Sequence, residues 1–266
     1  MNEFPAVPPP LCRFPAGLLE VSIHASGEDL GRAAAALVAA RLREVLAVKA
    51  TARFIMATGN SQIPYTASLL REQALPWERI ECFHMDKYVG MAADHPASFR
   101  RWMRERVEIP AHPRAFHYIR GDSPDPAAEC ARYAALLAAA PVDVISLGVG
   151  ENGHIAFNDP PVADFNDPVD VKIVALDEAC RRQQVGEGHF PDLASVPTHA
   201  ITLTIPTLLR PASIFCLVPE ARKAAAVKAT LEGPIGTACP ASILRRSGNA
   251  RLFLDRQSAG LLGSGK

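Results

Sequence analysis

Short apolar segments that alternate with longer helix-like segments are the feature that most constrains how this 266-residue chain folds. Residues 53–58 and 80–85 are typical of strands, and a helical segment follows each of them. Residues 142–149 are nearly all apolar, as expected for a strand that is covered on both faces. This alternation predicts an α/β fold with three layers, in which a Rossmann-like, mostly parallel sheet carries helices on both faces.

The same pattern gives the approximate extent of the other elements. Ser26 and Ser123 are predicted to be helix N-caps, because a serine side chain can accept a hydrogen bond from the first helical turn. Further strands are predicted over residues 19–24, 171–176, 200–204, 214–218 and 251–255. Helices are predicted over residues 26–48, from the turn after residue 59 to 70, and over 96–107, 123–139 and 220–231.

The chain is predicted to form one domain preceded by an arm. Pro5, Pro8, Pro9 and Pro10 indicate an extended, frayed N-terminal arm over residues 1–17. No internal repeat and no low-complexity linker interrupts residues 18–266, which we therefore expect to be a single domain. Within it, residues 159–170 are rich in Pro and Asp and are interpreted as an active-site flap.

Charge and cysteine content exclude several classes of protein. The 28 basic and 28 acidic residues give a net charge of zero, which argues against nucleic acid or a membrane surface as partner. No apolar run reaches the ~20 residues that a membrane span needs. The six cysteines form no Cys-x-x-Cys pair, so they predict buried thiols rather than a zinc ribbon or redox site. We expect a cytoplasmic protein.

A polar turn follows the strand at residues 53–58. Gly59 permits close backbone approach to a ligand, Thr58 and Ser61 supply hydroxyls, and the next helix offers free N–H groups to an anion. The glycines and lysine of a Walker loop or a dinucleotide fingerprint are missing. The turn is therefore either a phosphate-binding loop or an ordinary strand-to-helix connection.

Asp86 comes directly after the strand at residues 80–85, at the edge of the sheet where ligands bind in folds of this kind. A carboxylate at this edge can act as a general base if burial raises its pKa toward neutrality. The alternative is that Asp86 only caps a turn.

A glycine-rich loop follows the strand at residues 142–149. Gly148, Gly150 and Gly153 indicate a tight turn in which backbone approaches a ligand. His154 is able to exchange protons near neutral pH, and Asp159 is able to orient it. The alternative is a structural histidine. No second histidine stands at metal-ligand spacing, so we predict no metal site.

Together, the three segments resemble the glucosamine-6-phosphate deaminase family of the glucosamine-6-phosphate isomerase/6-phosphogluconolactonase superfamily. Residues 85–90 match the family's Met-Asp-x-Tyr-Val-Gly signature. Residues 150–158 match its Gly-x-Asn-Gly-His-Ile-Ala-Phe-Asn signature, and residues 222–224 resemble its phosphate-binding lysine segment. The resemblance covers residues 18–256.

The resemblance implies a conversion of an amino-sugar 6-phosphate to a ketose 6-phosphate and ammonia, without a cofactor. Asp86 then matches the base that moves a proton between C2 and C1. His154 matches the residue that opens the sugar ring, assisted by Asn152 and Asp159. A homo-oligomer is left open. The residues that match the phosphate clamp are Thr58, Gly59, Asn60, Ser61 and Lys223.

Several positions depart from the family pattern. Asp159 stands where a Glu is usual, and Lys87 replaces a common Glu beside the base. Gln184 stands where family members place a phosphate-binding Arg. We expect Arg181 or Arg182 to take that role and assign Arg182 as the candidate.

Two alternative functions are compatible with the resemblance. A 6-phosphogluconolactonase shares the fold, but residues 155–158, Ile-Ala-Phe-Asn, differ from the Thr/Ala-Ser that typically follows its histidine. A non-catalytic sugar-phosphate-sensing domain is the other alternative. Regulators of that kind carry a helix-turn-helix segment, for which about 18 residues before the first strand leave no room.

Overall fold

An eight-stranded sheet runs through the computed structural model of the chain, which describes residues 7–72 and 75–263. A smaller sheet of three strands lies beside it. The strands are β1 Cys12–Ala16, β2 Leu19–His24, β3 Ala52–Met56, β4 Ile80–His84, β5 Asp86–Tyr88, β6 Ala115–His117, β7 Val144–Leu147, β8 Val171–Ala175, β9 His199–Leu203, β10 Ser213–Val218 and β11 Ala250–Asp255.

The strand order of the large sheet is β1-β2-β11-β10-β7-β3-β4-β6. Strands β1 and β2 are antiparallel, and every other neighbouring pair in this sheet is parallel. The α-helices are α1 Gly27–Val48, α2 Ile63–Leu70, α3 Phe99–Met103, α4 Ile109–Ala111, α5 Pro126–Ala138, α6 Glu178–Gly186, α7 Ile205–Leu209 and α8 Ala224–Glu232.

Helices cover both faces of the large sheet because apolar side chains point alternately to either face along each strand. In β3, Phe54 packs in a cluster with α1 and α2, whereas Ile55 packs in a second cluster with α5 and α8. These two clusters form the core, and the predicted three-layer α/β fold with a mostly parallel sheet is confirmed.

Strands β5, β9 and β8 form a separate antiparallel sheet. The sequence analysis predicted strands over 171–176 and 200–204 but did not separate them from the central sheet. Ile173 and Ala175 in β8 are exposed while Val171 and Val174 are buried, which is typical of an antiparallel sheet with one solvated face. One residue, Met85, separates β4 of the large sheet from β5 of the small one.

The N-terminal segment is paired from residue 12 onward, so the prediction of a frayed arm over residues 1–17 is wrong for β1. Its five residues form an antiparallel ladder with β2, from Cys12 opposite Ile23 to Ala16 opposite Leu19. Pairing satisfies the backbone groups that a frayed arm would leave to solvent. Residues 1–6 lie outside the described residues.

Helix starts agree with the sequence at one predicted cap and differ at the other. Ser26 is the N-cap of α1 and accepts a hydrogen bond from the N–H of Asp29 at 3.1 Å, as predicted. The N-cap of α5 is Asp125 rather than Ser123. Its carboxylate accepts from the N–H of Ala128 at 2.9 Å, and Pro126 follows at the first helical position, where proline is favoured.

Other helices differ from prediction in their bounds. The helix expected over residues 96–107 begins at Phe99, because Ser98 is its N-cap, and continues through a π-helical segment, Arg104–Glu108, into α4. A 3₁₀ turn, Ala221–Lys223, precedes α8. Helices α6 and α7 were not predicted. None of the described helices is both long enough and apolar enough to cross a bilayer.

Candidate active site

A cavity lies where four neighbouring parallel strands, β10, β7, β3 and β4, end at the same edge of the large sheet. Each of the three motifs singled out from the sequence follows one of these strands, so the fold brings them together. The predicted site residues that line the cavity are Thr58, Gly59, Ser61, Asp86, His154 and Lys223.

The turn after β3 places its backbone against the cavity. Gly59 has φ +109°, a conformation that residues with a side chain rarely adopt. A 3₁₀ turn, Asn60–Gln62, then leads into α2. Asn60 does not line the cavity, because its side-chain amide donates to the backbone oxygen of Glu187 at 3.4 Å.

Lys223 supplies a cation at the same end of the cavity. It ends the 3₁₀ turn that follows β10 and is only 4% exposed. Burial lowers the pKa of its ammonium group, although the neighbouring carboxylates of Glu187 and Glu151 act in the opposite direction. A buried ammonium beside free backbone N–H groups is suited to binding a phosphate.

Asp86 opens β5 and faces the cavity with 8% of its surface exposed. Burial raises the pKa of its carboxyl group to about 7. Apolar side chains of Met85, Phe99 and Phe157 line the same cavity. A carboxyl group with this pKa exchanges protons near neutral pH, as a general base must.

His154 is held by a buried hydrogen-bond network behind the cavity. Its Nδ1 lies 2.7 Å from Oδ1 of Asp159, which is fully buried. That oxygen also accepts from the side-chain amide of Asn152 at 2.9 Å, and the N–H of Asp177 donates to Oδ2 at 3.3 Å. Burial opposes ionisation of Asp159, but these partners together lower the pKa of its carboxyl group below the usual range.

The network keeps one nitrogen of His154 against Asp159 while the imidazole lines the cavity. Asn152 and Asp159 therefore lie behind the histidine rather than in the cavity wall. The imidazole fits because Gly150 has no side chain. A Cβ atom at that position would lie 2.2 Å from the ring, far inside van der Waals contact.

One group of metal-ligating side chains occurs within the described residues. Ligand atoms of His154, Asp159 and Cys180 all lie within 4.8 Å of one another. The 2.7 Å separation of His154 and Asp159 is that of a hydrogen bond, and burial raises the pKa of the Cys180 thiol well above its usual value. The arrangement is that of a hydrogen-bonded network in which the thiol stays protonated.

Neither arginine of α6 reaches the cavity, so the assignment of Arg182 to phosphate binding is wrong for this structure. Arg182 is 68% exposed and pairs with Glu178 one helical turn away. Arg181 donates to the backbone oxygens of Leu193 and Val196 and so holds the following loop. Because α6 turns both guanidinium groups away, Lys223 is the cation that lines the cavity.

The end of α6 supplies cavity residues that the sequence analysis did not assign. Gln183, Gln184, Glu187 and His189 line the cavity, and Gln184 accepts a hydrogen bond from the hydroxyl of Tyr88 at 2.8 Å. The signal was a dense polar run after a strand, but without a predicted helix its facing could not be assigned. Phe99 carried no such signal, because a single aromatic residue is usually part of the core.

Comparison with known proteins followed from this geometry. The sequence profile of the glucosamine-6-phosphate isomerases/6-phosphogluconolactonase matches residues 25–253. A glucosamine-6-phosphate deaminase of Exiguobacterium sibiricum is 36% identical over 192 residues, which cover 70% of this chain and 73% of that protein. One of Bacillus thuringiensis is 33% identical over 243 residues, covering 91% and 89%.

Solved structures give the same relationship. A monomeric glucosamine-6-phosphate deaminase superposes with a TM-score of 0.82 at 31% identity, covering 91% of this chain and 99% of that one. A 6-phosphogluconolactonase of Thermotoga maritima superposes with a TM-score of 0.71 at 19% identity, covering 88% and 98%. At that identity the second likeness concerns the fold alone.

Proposed function

The chain belongs to the glucosamine-6-phosphate isomerase/6-phosphogluconolactonase family, and on this premise we propose that it is a glucosamine-6-phosphate deaminase. The substrate is an amino-sugar 6-phosphate, and the products are the ketose 6-phosphate and ammonia. The reaction opens the sugar ring, moves a proton from C2 to C1, and replaces the resulting C2 imine by a ketone when water adds and ammonia leaves.

His154 carries the ring-opening step in this proposal. The imidazole takes the proton of the C1 hydroxyl and delivers a proton to the ring oxygen, which leaves an open-chain aldehyde. Asp159 holds the imidazole in one orientation through the 2.7 Å contact with Nδ1, so that the opposite nitrogen faces the sugar. Asn152 in turn fixes the carboxylate of Asp159.

Asp86 carries the enolisation step. Its carboxylate removes the proton from C2 of the open-chain sugar, and the same group then returns a proton to C1. A carboxyl group with pKa about 7 is present in both protonation states near neutral pH, and this step requires both.

The phosphate is bound at the other end of the cavity, by Thr58, Gly59, Ser61 and Lys223. Binding energy from this remote group holds C1 and C2 between the base and the histidine. No step of the proposal uses a metal or an organic cofactor.

The observation that supports this proposal best is the juxtaposition of two proton-transfer groups. The buried carboxyl of Asp86 and the Asp159-bound imidazole of His154 line one cavity, but they come from different sheets and have different partners. Two separate groups are what ring opening and enolisation require.

The direct test is ammonia release from a panel of hexosamine 6-phosphates that differ in stereochemistry at C2 and C4. We expect turnover with glucosamine 6-phosphate and little with unphosphorylated glucosamine. Hydrolysis of 6-phosphogluconolactone without ammonia release would favour the lactonase, and binding without any turnover would favour a sensing domain.

A further inference from the structure

A buried carboxylate shares the phosphate end of the cavity with Lys223. Glu187 follows α6, its side chain is 7% exposed, and it lines the cavity. Its backbone oxygen accepts a hydrogen bond from Asn60, so it lies directly beside the turn that follows β3. A carboxylate is unexpected at a phosphate subsite, because like charges repel strongly where water is scarce.

The contacts of Glu187 are those of a bound anion. Oε1 accepts a hydrogen bond from the side-chain amide of Gln183 at 2.7 Å and lies 3.5 Å from the guanidinium of Arg222. Oε2 lies 3.3 Å from Nε2 of His189. Burial opposes ionisation, but His189, Lys223 and the other partners lower the pKa of this carboxyl group below its usual range. Glu187 is therefore ionised at neutral pH.

The neighbouring cations are not equivalent. Arg222 is shared among three carboxylates, at 2.6 Å from Glu220, 3.5 Å from Glu187 and 3.8 Å from Glu151. Lys223 makes no ion pair within residues 7–72 and 75–263 and interacts with Glu187 only at longer range. Glu187, unlike Glu151 and Glu220, also lines the cavity.

We propose that Glu187 is a specificity-determining residue of the phosphate subsite: its carboxylate is the resident anion beside Lys223 and the Thr58–Ser61 turn, and an incoming phosphate competes with it. The inference depends on the proposed function for the position of the phosphate. It follows that affinity for phosphorylated sugars is lower than Lys223 and the turn alone would give. Unphosphorylated sugars are not repelled by Glu187.

The test is calorimetric titration with inorganic phosphate at pH 7.5, comparing the wild type with Glu187→Gln. The amide keeps the shape and hydrogen bonds of the side chain and removes its charge. We expect Glu187→Gln to bind phosphate about tenfold more tightly. The matched control is Glu151→Gln, which also removes a carboxylate near Arg222. Its side chain is 40% exposed, so we expect a change of less than about twofold.

A charge-conserving variant separates charge from shape. Glu187→Asp should stay within about threefold of the wild type. Equal tightening by Glu187→Gln and Glu187→Asp would overturn the proposal, and so would unchanged or weaker binding by Glu187→Gln. If Glu187→Gln fails to fold, Glu187→Ala is titrated in its place, with the same expectation.

The phosphate titration does not depend on turnover, so the two proposals can fail separately. Absence of ammonia release by the wild type, with tightened phosphate binding by Glu187→Gln, would refute the deaminase and leave the role of Glu187 intact. Ammonia release together with an unchanged phosphate Kd in Glu187→Gln would refute only the role of Glu187. Failure of both proteins to bind phosphate would also overturn it.

Discussion

Asp86 combines two properties that usually conflict, since it is buried and has no cationic partner to stabilise its charge. We expect Asp86→Asn to lower turnover by ~10²–10⁴, because the amide keeps the shape but cannot accept the C2 proton. Sugar-phosphate binding should stay within a few-fold. The measurements are ammonia release and a binding titration, and near-normal activity of the variant would remove Asp86 from the mechanism.

The raised pKa of Asp86 also predicts two pH dependences. The base is unprotonated above its pKa of about 7, so kcat/KM should fall as pH decreases below 7. Between about pH 4 and 7 the folded state retains a proton that the unfolded state has lost, so this group destabilises the protein as pH rises.

Asp86→Asn should therefore become more stable relative to the wild type from pH 4 to pH 7. Urea midpoints at both pH values measure the change. Asp94→Asn, at an exposed position, serves as control. A stability difference that does not change with pH would mean that Asp86 ionises normally.

His154 and Asp86 are assigned to different steps, and the difference is measurable. His154→Gln should fail mainly at ring opening, because glutamine forms hydrogen bonds but cannot transfer a proton. Exchange of the C1 or C2 proton, followed by NMR from the ketose phosphate and ammonia, should survive better than turnover of the aldose. Equal loss of both would assign His154 to enolisation or to loop structure.

At the scale of elements, the sequence predicted what depends on local pattern and missed what depends on pairing partners. Residues 142–149 were recognisable as a buried strand because every neighbour of a central strand is apolar. By contrast, β8 and β9 differ from central strands only in joining β5, a contact between distant parts of the chain. Arg182 failed for a related reason: its facing is set by a helix, α6, that the pattern did not predict.

A buried lysine joins the strand that carries the base to a helix at the cavity. Lys87, 1% exposed, donates to the hydroxyl of Ser98 at 2.8 Å, and Ser98 is the N-cap of α3, whose first residue, Phe99, lines the cavity. Burial lowers the pKa of Lys87 to about 8, with Asp122 opposing and Arg100 adding to the shift.

Between pH 8 and about 10 the unfolded chain therefore holds a proton on Lys87 that the folded chain has lost, so stability rises with pH. We expect the wild type to gain stability relative to Lys87→Met between pH 7.5 and pH 10, as measured by urea midpoints. Lys228→Met, at a half-exposed lysine of α8, should show no such change. An unchanged difference for Lys87→Met would mean that the ammonium stays charged.

At the scale of the whole molecule, phosphate binding should stabilise the fold, because the subsite exists only when β3 and β10 are assembled. At 100 times Kd the gain is about 2.7 kcal/mol, which corresponds to a Tm increase of roughly 5 °C or more. Lys223→Ala should lose most of this increase and raise KM for the sugar phosphate, while Lys228→Ala keeps both. An equal Tm increase in Lys223→Ala would remove Lys223 from the subsite.

The contact between Gly150 and the ring of His154 has a consequence for how relatives of this protein are recognised in genomes. A single added carbon at position 150 would displace the imidazole while leaving every polar residue of the motif in place. A gene with that one change would still match the family's signature and still encode Asp86, His154 and Asp159. Its product would be a pseudoenzyme, and only the glycine would distinguish it from its active relatives.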